Sequence, residues 1–199
     1  AVMKGIEQNI LFYITRLKAV FSDENGSAKT IFATAFWVFN KKGEKIFITN
    51  RHNIDPTLML GEDTPFKLKS VHIELRKQIN KDGEVLNTND TEFFEVTNPI
   101  EELKVSDTAD CAIIVDPEFI DLRDGYKPLV ISKAIELVDA NFMKQNVDLF
   151  DTISFIGFPG KNGTYWHDEE ANLPILRTGV IASYTHKPFA NKSIKTDDV

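Results

Sequence analysis

The stretch TAFWVFNKKGEKIFITNRHNI, from Thr34 to Ile54, decides how this chain folds. Two apolar runs, IFATAFWVFN (Ile31 to Asn40) and KIFITN (Lys45 to Asn50), flank a polar turn that contains Gly43, which is the pattern of a β-hairpin. Both runs are rich in β-branched and aromatic residues, which suit a pleated, half-buried surface. His52 follows directly, where the chain leaves the sheet. Taken alone, a histidine in that place is most often a surface or cap residue. Working outward, NILFYITRLKAVF (Asn9 to Phe21) alternates as a first strand. VHIELRKQI (Val71 to Ile79) and the run from Val85 onward flank Asp82-Gly83, a second hairpin signal. EFFEVT (Glu92 to Thr97) and CAIIVD (Cys111 to Asp116) bring the set to about six short strands, as in a small barrel or sandwich.

Beyond residue 116 the pattern changes. Ile120 to Gly125 is polar, Lys127-Pro128 is extended, and SKAIELVDANF (Ser132 to Phe142) suits a short helix, so this region reads as a connector. Strands resume with DTISFIGF (Asp151 to Phe158), stopped by Pro159-Gly160. After a polar loop, LPILRTGVIASY (Leu173 to Tyr184) reads as a strand bent at Gly179. Asn191 to Val199 is polar and adds no strand, so the second unit is expected to be incomplete.

Composition narrows the function. The chain has 199 residues, 42% hydrophobic and 27% charged, enough for one large or two small globular units. Fifteen Phe against three Met point to cores built on aromatic packing. The net charge of −7 argues against nucleic acid, whose phosphates call for a basic surface. No basic amphipathic stretch suggests a membrane surface, and the longest apolar runs are too short to span a bilayer. A single cysteine, Cys111, excludes an internal disulfide and leans toward a reducing compartment, hence the cytoplasm. A secreted chain that has lost its signal peptide is the alternative.

The chemistry lies in three motifs. The first is Thr49-Asn50-Arg51-His52. The second is DTADCAIIV (Asp107 to Val115), where an aspartate leads into an apolar strand 58 residues after His52. Alone, such an aspartate is most often a turn or cap residue. Asp110 abuts the strand and is the better candidate, with Asp107 the runner-up. The third is DTISFIGFPG (Asp151 to Gly160) followed by LPILRTGVIAS (Leu173 to Ser183). Together these resemble the trypsin-like serine peptidases: a hairpin ending in Thr-x-x-His, an Asp before an apolar strand, then Ile-Gly-Phe-Pro and Arg-x-Gly-x-Ile-Ala-Ser strands. The resemblance covers roughly Ala33 to Tyr184. Arg51 departs from it, since the family has a small residue just before the histidine.

The resemblance implies an all-β, chymotrypsin-like double six-stranded β-barrel. Its first barrel would be complete over residues 1–130, with a connector over 131–150 and part of a second barrel over 151–199. It implies a serine endopeptidase acting on protein or peptide substrates, with His52 and Asp110 as catalytic residues and no cofactor or metal. The family's Gly-x-Ser-Gly turn is absent. Of eight serines, Ser22, Ser27, Ser70, Ser106, Ser132, Ser154, Ser183 and Ser193, none stands in that context. The nucleophile is therefore expected beyond residue 199, and an inactive binding module with a protease fold is the alternative. A half barrel exposes strand edges and an inward face that includes Phe155 or Ile156, and Ile181, so pairing with the missing segment or another chain is expected. Cys111, the strand neighbour of Asp110, should point the opposite way into the core and is no substitute nucleophile. His72, His167 and His186 are isolated, with no metal-ligand spacing between them. Asp168-Glu169-Glu170 beside Trp166 reads as a solvated loop.

Overall fold

In the computed structural model the described residues are 8–131, 140–161, 164–165 and 167–182. Strand β1 (Ile14–Ser22) alternates strictly, burying Thr15, Leu17, Ala19 and Phe21 on one face. It pairs antiparallel with β2 (Ala28–Phe39), which turns through Gly43 into β3 (Lys45–Thr49). β4 (Lys67–Lys81) and β5 (Glu84–Glu95) form a second hairpin. Its two turn residues, Asp82 and Gly83, both have positive φ (56° and 86°), as a tight primed turn requires. β6 (Leu103–Val105) and β7 (Ala112–Val115) pair with each other, and β8 (Tyr126–Lys127) pairs with β4. The resulting eight-stranded antiparallel sheet runs β5-β4-β1-β2-β3-β7-β6, with β8 off this path. Among the described residues no ladder joins β5 to β6.

The expected hairpins and strands are present, with four corrections. Residues Gln8–Tyr13 form a 3₁₀ turn, and the first strand starts only at Ile14. Ile10 to Tyr13 is an unbroken apolar run without the two-residue period of a half-buried strand. The segments from Val85 and Glu92 are one strand, not two, with a register shift opposite Arg76 and Gln78. The strand expected to reach Tyr184 is β12 (Ile175–Val180), and residues from 183 onward lie outside the described set. Of the helix expected over Ser132 to Phe142, residues 132–139 lie outside the described set, and the last three residues open α3 (Ala140–Asn146), which runs past the expected end. Two short helices, α1 (Pro56–Leu60) and α2 (Pro99–Glu102), were not foreseen. Each starts at a proline, which suits the first helical turn.

Trp37 centres the core. It is 1% exposed and meets Phe47 edge-on at 5.1 Å, with Phe119 at 6.5 Å. Two buried charged residues sit beside this apolar centre. Glu74 accepts from both the Nε and Nη2 of Arg16 and from Thr91 Oγ1. Arg76 donates to the carbonyls of Thr88 (2.8 Å), Ala171 (3.0 Å) and Asn172 (2.5 Å), with the Phe12 ring 5.1 Å away. Such satisfaction is what makes a buried guanidinium tolerable.

Contacts divide the described residues into two compact units, 8–131 with 156–175 and 140–155 with 176–182. In the first, Phe158 N–H donates to Thr34 Oγ1 at 2.9 Å, and a Cβ on Gly157 would lie 2.9 Å from the same oxygen. Glycine is therefore the residue that lets the chain pass so close to β2. Strand β9 (Thr152–Gly157) pairs with β12, and β10 (Gly160–Lys161) with β11 (Thr164–Tyr165). The second unit exposes Phe142, Phe150, Phe155, Leu176 and Val180, whereas Ile181 is half-buried. No helix among the described residues is long and apolar enough to cross a membrane.

Candidate active site

Sheet register brings the two candidate residues together. In the β3–β7 ladder Thr49 lies opposite Ala112. The chain leaving β3 and the chain entering β7 therefore meet at the same end of neighbouring strands. His52 is three residues beyond the first, and Asp110 two residues before the second.

Each side of the pair is fixed by its own local structure. After Thr49 the chain enters a 3₁₀ turn, Arg51–Asn53. Buried Asn53 donates to Thr49 Oγ1 at 3.1 Å, and Thr49 Oγ1 donates to Thr34 O at 3.0 Å, which ties the turn to β2. Ile54 is buried below it, and Asp55 caps α1 by accepting from Thr57 N–H. On the other side, Ser106 Oγ accepts from the N–H groups of Thr108 and Ala109, and Ser106 N–H donates to Cys111 O at 2.9 Å. This closes a small loop that presents Asp110.

Across the gap, His52 Nδ1 lies 2.6 Å from Asp110 Oδ2, and the His52 backbone N–H donates to Oδ1 at 2.9 Å. One carboxylate thus grips both the ring and the main chain of the histidine. An ionised carboxylate can only accept, so the contact places the imidazole proton on Nδ1 and leaves the Nε2 lone pair free for a proton. Both side chains are nearly half exposed (45% and 46%), so the pair is open to a reactant. Burial pushes the Asp110 carboxyl up, but hydrogen bonds from the His52 backbone and ring, the His52 charge and a bond from Asn50 outweigh it. The net shift is below the ordinary aspartate value.

That shift fixes the sign of a pH effect. A carboxyl lowered on folding contributes stability above its unfolded value, near 3.8, and loses it as pH falls through the folded value. The gap in Tm between the parent chain and Asp110→Ala should therefore be present at neutral pH and close on acidification below about pH 4. Solvent screening at this exposed site keeps the gap small. A gap that is the same at pH 7 and pH 3 would rule out the ionic contact.

The other candidates are placed elsewhere. Asp107 lies exposed in the loop, and Asp110 alone of the two meets the imidazole. Cys111 is only half-buried, a correction to the expected core position, because Cys111 belongs to the loop and β7 begins at Ala112. His72 Nε2 lies 3.0 Å from Ser70 Oγ, and its pKa is lowered by burial and by Lys18, against an opposing pull from Glu95. His167 packs edge-on against Phe158. Asp168 accepts from the N–H groups of Glu170 and Ala171, so the acidic trio forms an exposed turn. Trp166, Ser183 and His186 lie outside the described residues. Sequence reasoning missed two participants, Asn50 and the anchoring role of Arg51. The one available signal for Arg51 was its bulk where the resembled family has a small residue.

No known protein family, characterised protein or solved structure matches this chain.

Proposed function

We propose that the chain supplies the general base and its orienting carboxylate in a trypsin-like serine endopeptidase whose serine lies beyond residue 199. The observation that carries this reading is the 2.6 Å contact between His52 Nδ1 and Asp110 Oδ2, made by residues on adjacent strand ends. In this reading the eight-stranded sheet belongs to the first barrel of a chymotrypsin-like pair, and β9 with β12 opens the second. His52 Nε2 takes the serine proton as the hydroxyl attacks a peptide carbonyl, then returns it to the leaving amine. Asp110 keeps the proton on Nδ1 and stabilises the imidazolium that forms. The oxyanion hole is built from backbone N–H groups around the serine, so it too lies outside these residues.

A serine-directed phosphonate tests the assignment. Residues 1–199 alone should take up no label. A longer form carrying a Gly-x-Ser-Gly turn should be labelled on that serine, and His52→Ala should abolish the labelling. Labelling of the 199-residue chain, or labelling of the longer form that survives His52→Ala, would overturn the reading.

A further inference from the structure

Asn50 precedes the 3₁₀ turn that carries His52, at the N-cap position. Asparagine there ordinarily accepts a hydrogen bond from the first turn through its side-chain oxygen. Here the side chain makes no such cap. It points its Nδ2 instead at the Asp110 loop, donating to the Asp110 backbone carbonyl at 3.2 Å and to Asp110 Oδ2 at 3.1 Å. An exposed asparagine with a satisfied cap would be surface decoration. An asparagine that forgoes the cap to reach across 60 residues of sequence is spent on its target.

We propose that Asn50 is a positioning residue for the His52–Asp110 pair, holding the carboxylate in the one orientation that serves both the imidazole and the His52 backbone. The contact has two points. The bond to the Asp110 carbonyl fixes the main chain, and the bond to Oδ2 fixes the side-chain torsion. Oδ2 then receives Asn50 and the His52 ring, while Oδ1 receives the His52 N–H. With three donors on two oxygens, rotation of the carboxylate breaks at least one of them. Arg51 reinforces the same join from the next residue: its Nε and Nη2 hold Asp55 Oδ2, and its Nη1 donates to Ser106 O at 3.2 Å. Asn50 and Arg51 thus stitch the histidine turn to both ends of the aspartate loop.

The inference rests on the peptidase reading for its purpose, but its test needs no hydrolysis. The 199-residue chain is followed by NMR, reading the Asp110 carboxyl titration and the low-field His52 Nδ1 proton. Asn50→Ala should raise the Asp110 pKa, since a donor to the charged form is lost, and speed exchange of the Nδ1 proton by about tenfold. Asn50→Asp keeps the shape but faces an acceptor with an acceptor, so it should raise the Asp110 pKa further. It also decides the matter should Asn50→Ala fail to fold. An unchanged Asp110 titration and Nδ1 proton would overturn the proposal, and unfolding of both variants would make Asn50 a structural residue instead. Labelling that ignores His52 would sink the peptidase reading while leaving these NMR shifts in place, so the two failures are distinct.

Discussion

In the proposed peptidase, Asp110→Asn in a form that carries the serine is expected to lower turnover by about 10⁴, the scale of the corresponding loss in the Ser-His-Asp enzymes it resembles. The geometry here explains why so small a change should be so damaging. Asp110 accepts from the His52 backbone N–H through Oδ1 and from the ring through Oδ2. A carboxamide has only one acceptor oxygen. The backbone N–H cannot rotate away, so the oxygen turns to it and the NH₂ group faces Nδ1. That forces the imidazole proton onto Nε2, where the base must be free. Asp107→Asn, out in the exposed loop, should leave kcat/KM within about twofold, as most surface changes do. If Asp107→Asn proved the damaging change and Asp110→Asn the mild one, the carboxylate would be wrongly assigned.

Trp37→Ala is expected to cost about 3–5 kcal/mol of folding stability. Trp37 is the largest of the fully buried side chains, and its removal strips contact from the Phe47 and Phe119 rings together. The β3 ladder holds the Trp37 backbone on one side and Ile131 N–H donates to Trp37 O at 3.1 Å on the other, so the sheet has little freedom to collapse into the space. A loss of that size is a large share of the stability of an ordinary domain. It should appear as a lower urea midpoint with an unchanged slope. A loss below about 1 kcal/mol would mean that the core closes around the gap, contrary to this packing.

How much of this was legible in the sequence depends on the range of the interaction concerned. The hairpin through Gly43 and the turn at Asp82-Gly83 are written in adjacent residues, and both are present. His52 and Asp110 are legible only through the resemblance to the peptidase motifs, since each alone reads as a turn or cap residue, and antiparallel pairing of β3 with β7 sets them side by side. Asn50 carried no such mark. Its partner is 60 residues away, and an asparagine after a strand reads as turn chemistry. Leu103–Val105 was passed over because three residues carry too little period to read, and it is a strand only through pairing with β7. The 3₁₀ turn at Gln8–Tyr13 was mistaken for strand because an apolar run fixes burial without fixing period.

The Arg76 guanidinium has a consequence for the order in which the chain assembles. Strands β1 to β3, and β4 with β5, are joined to their sequence neighbours by short turns, so those ladders close small loops early. The bonds from Arg76 to Ala171 and Asn172 span 95 and 96 residues, and nothing local holds their ends together beforehand. Loop closure on that scale is expected to follow the local hairpins. Interactions absent from the folding transition state act on escape from the native state, not on arrival at it. These two bonds are thus a latch on residence time: their loss should act mainly on unfolding and let the 171–172 turn swing open more often, exposing that segment first to any protease in the surroundings.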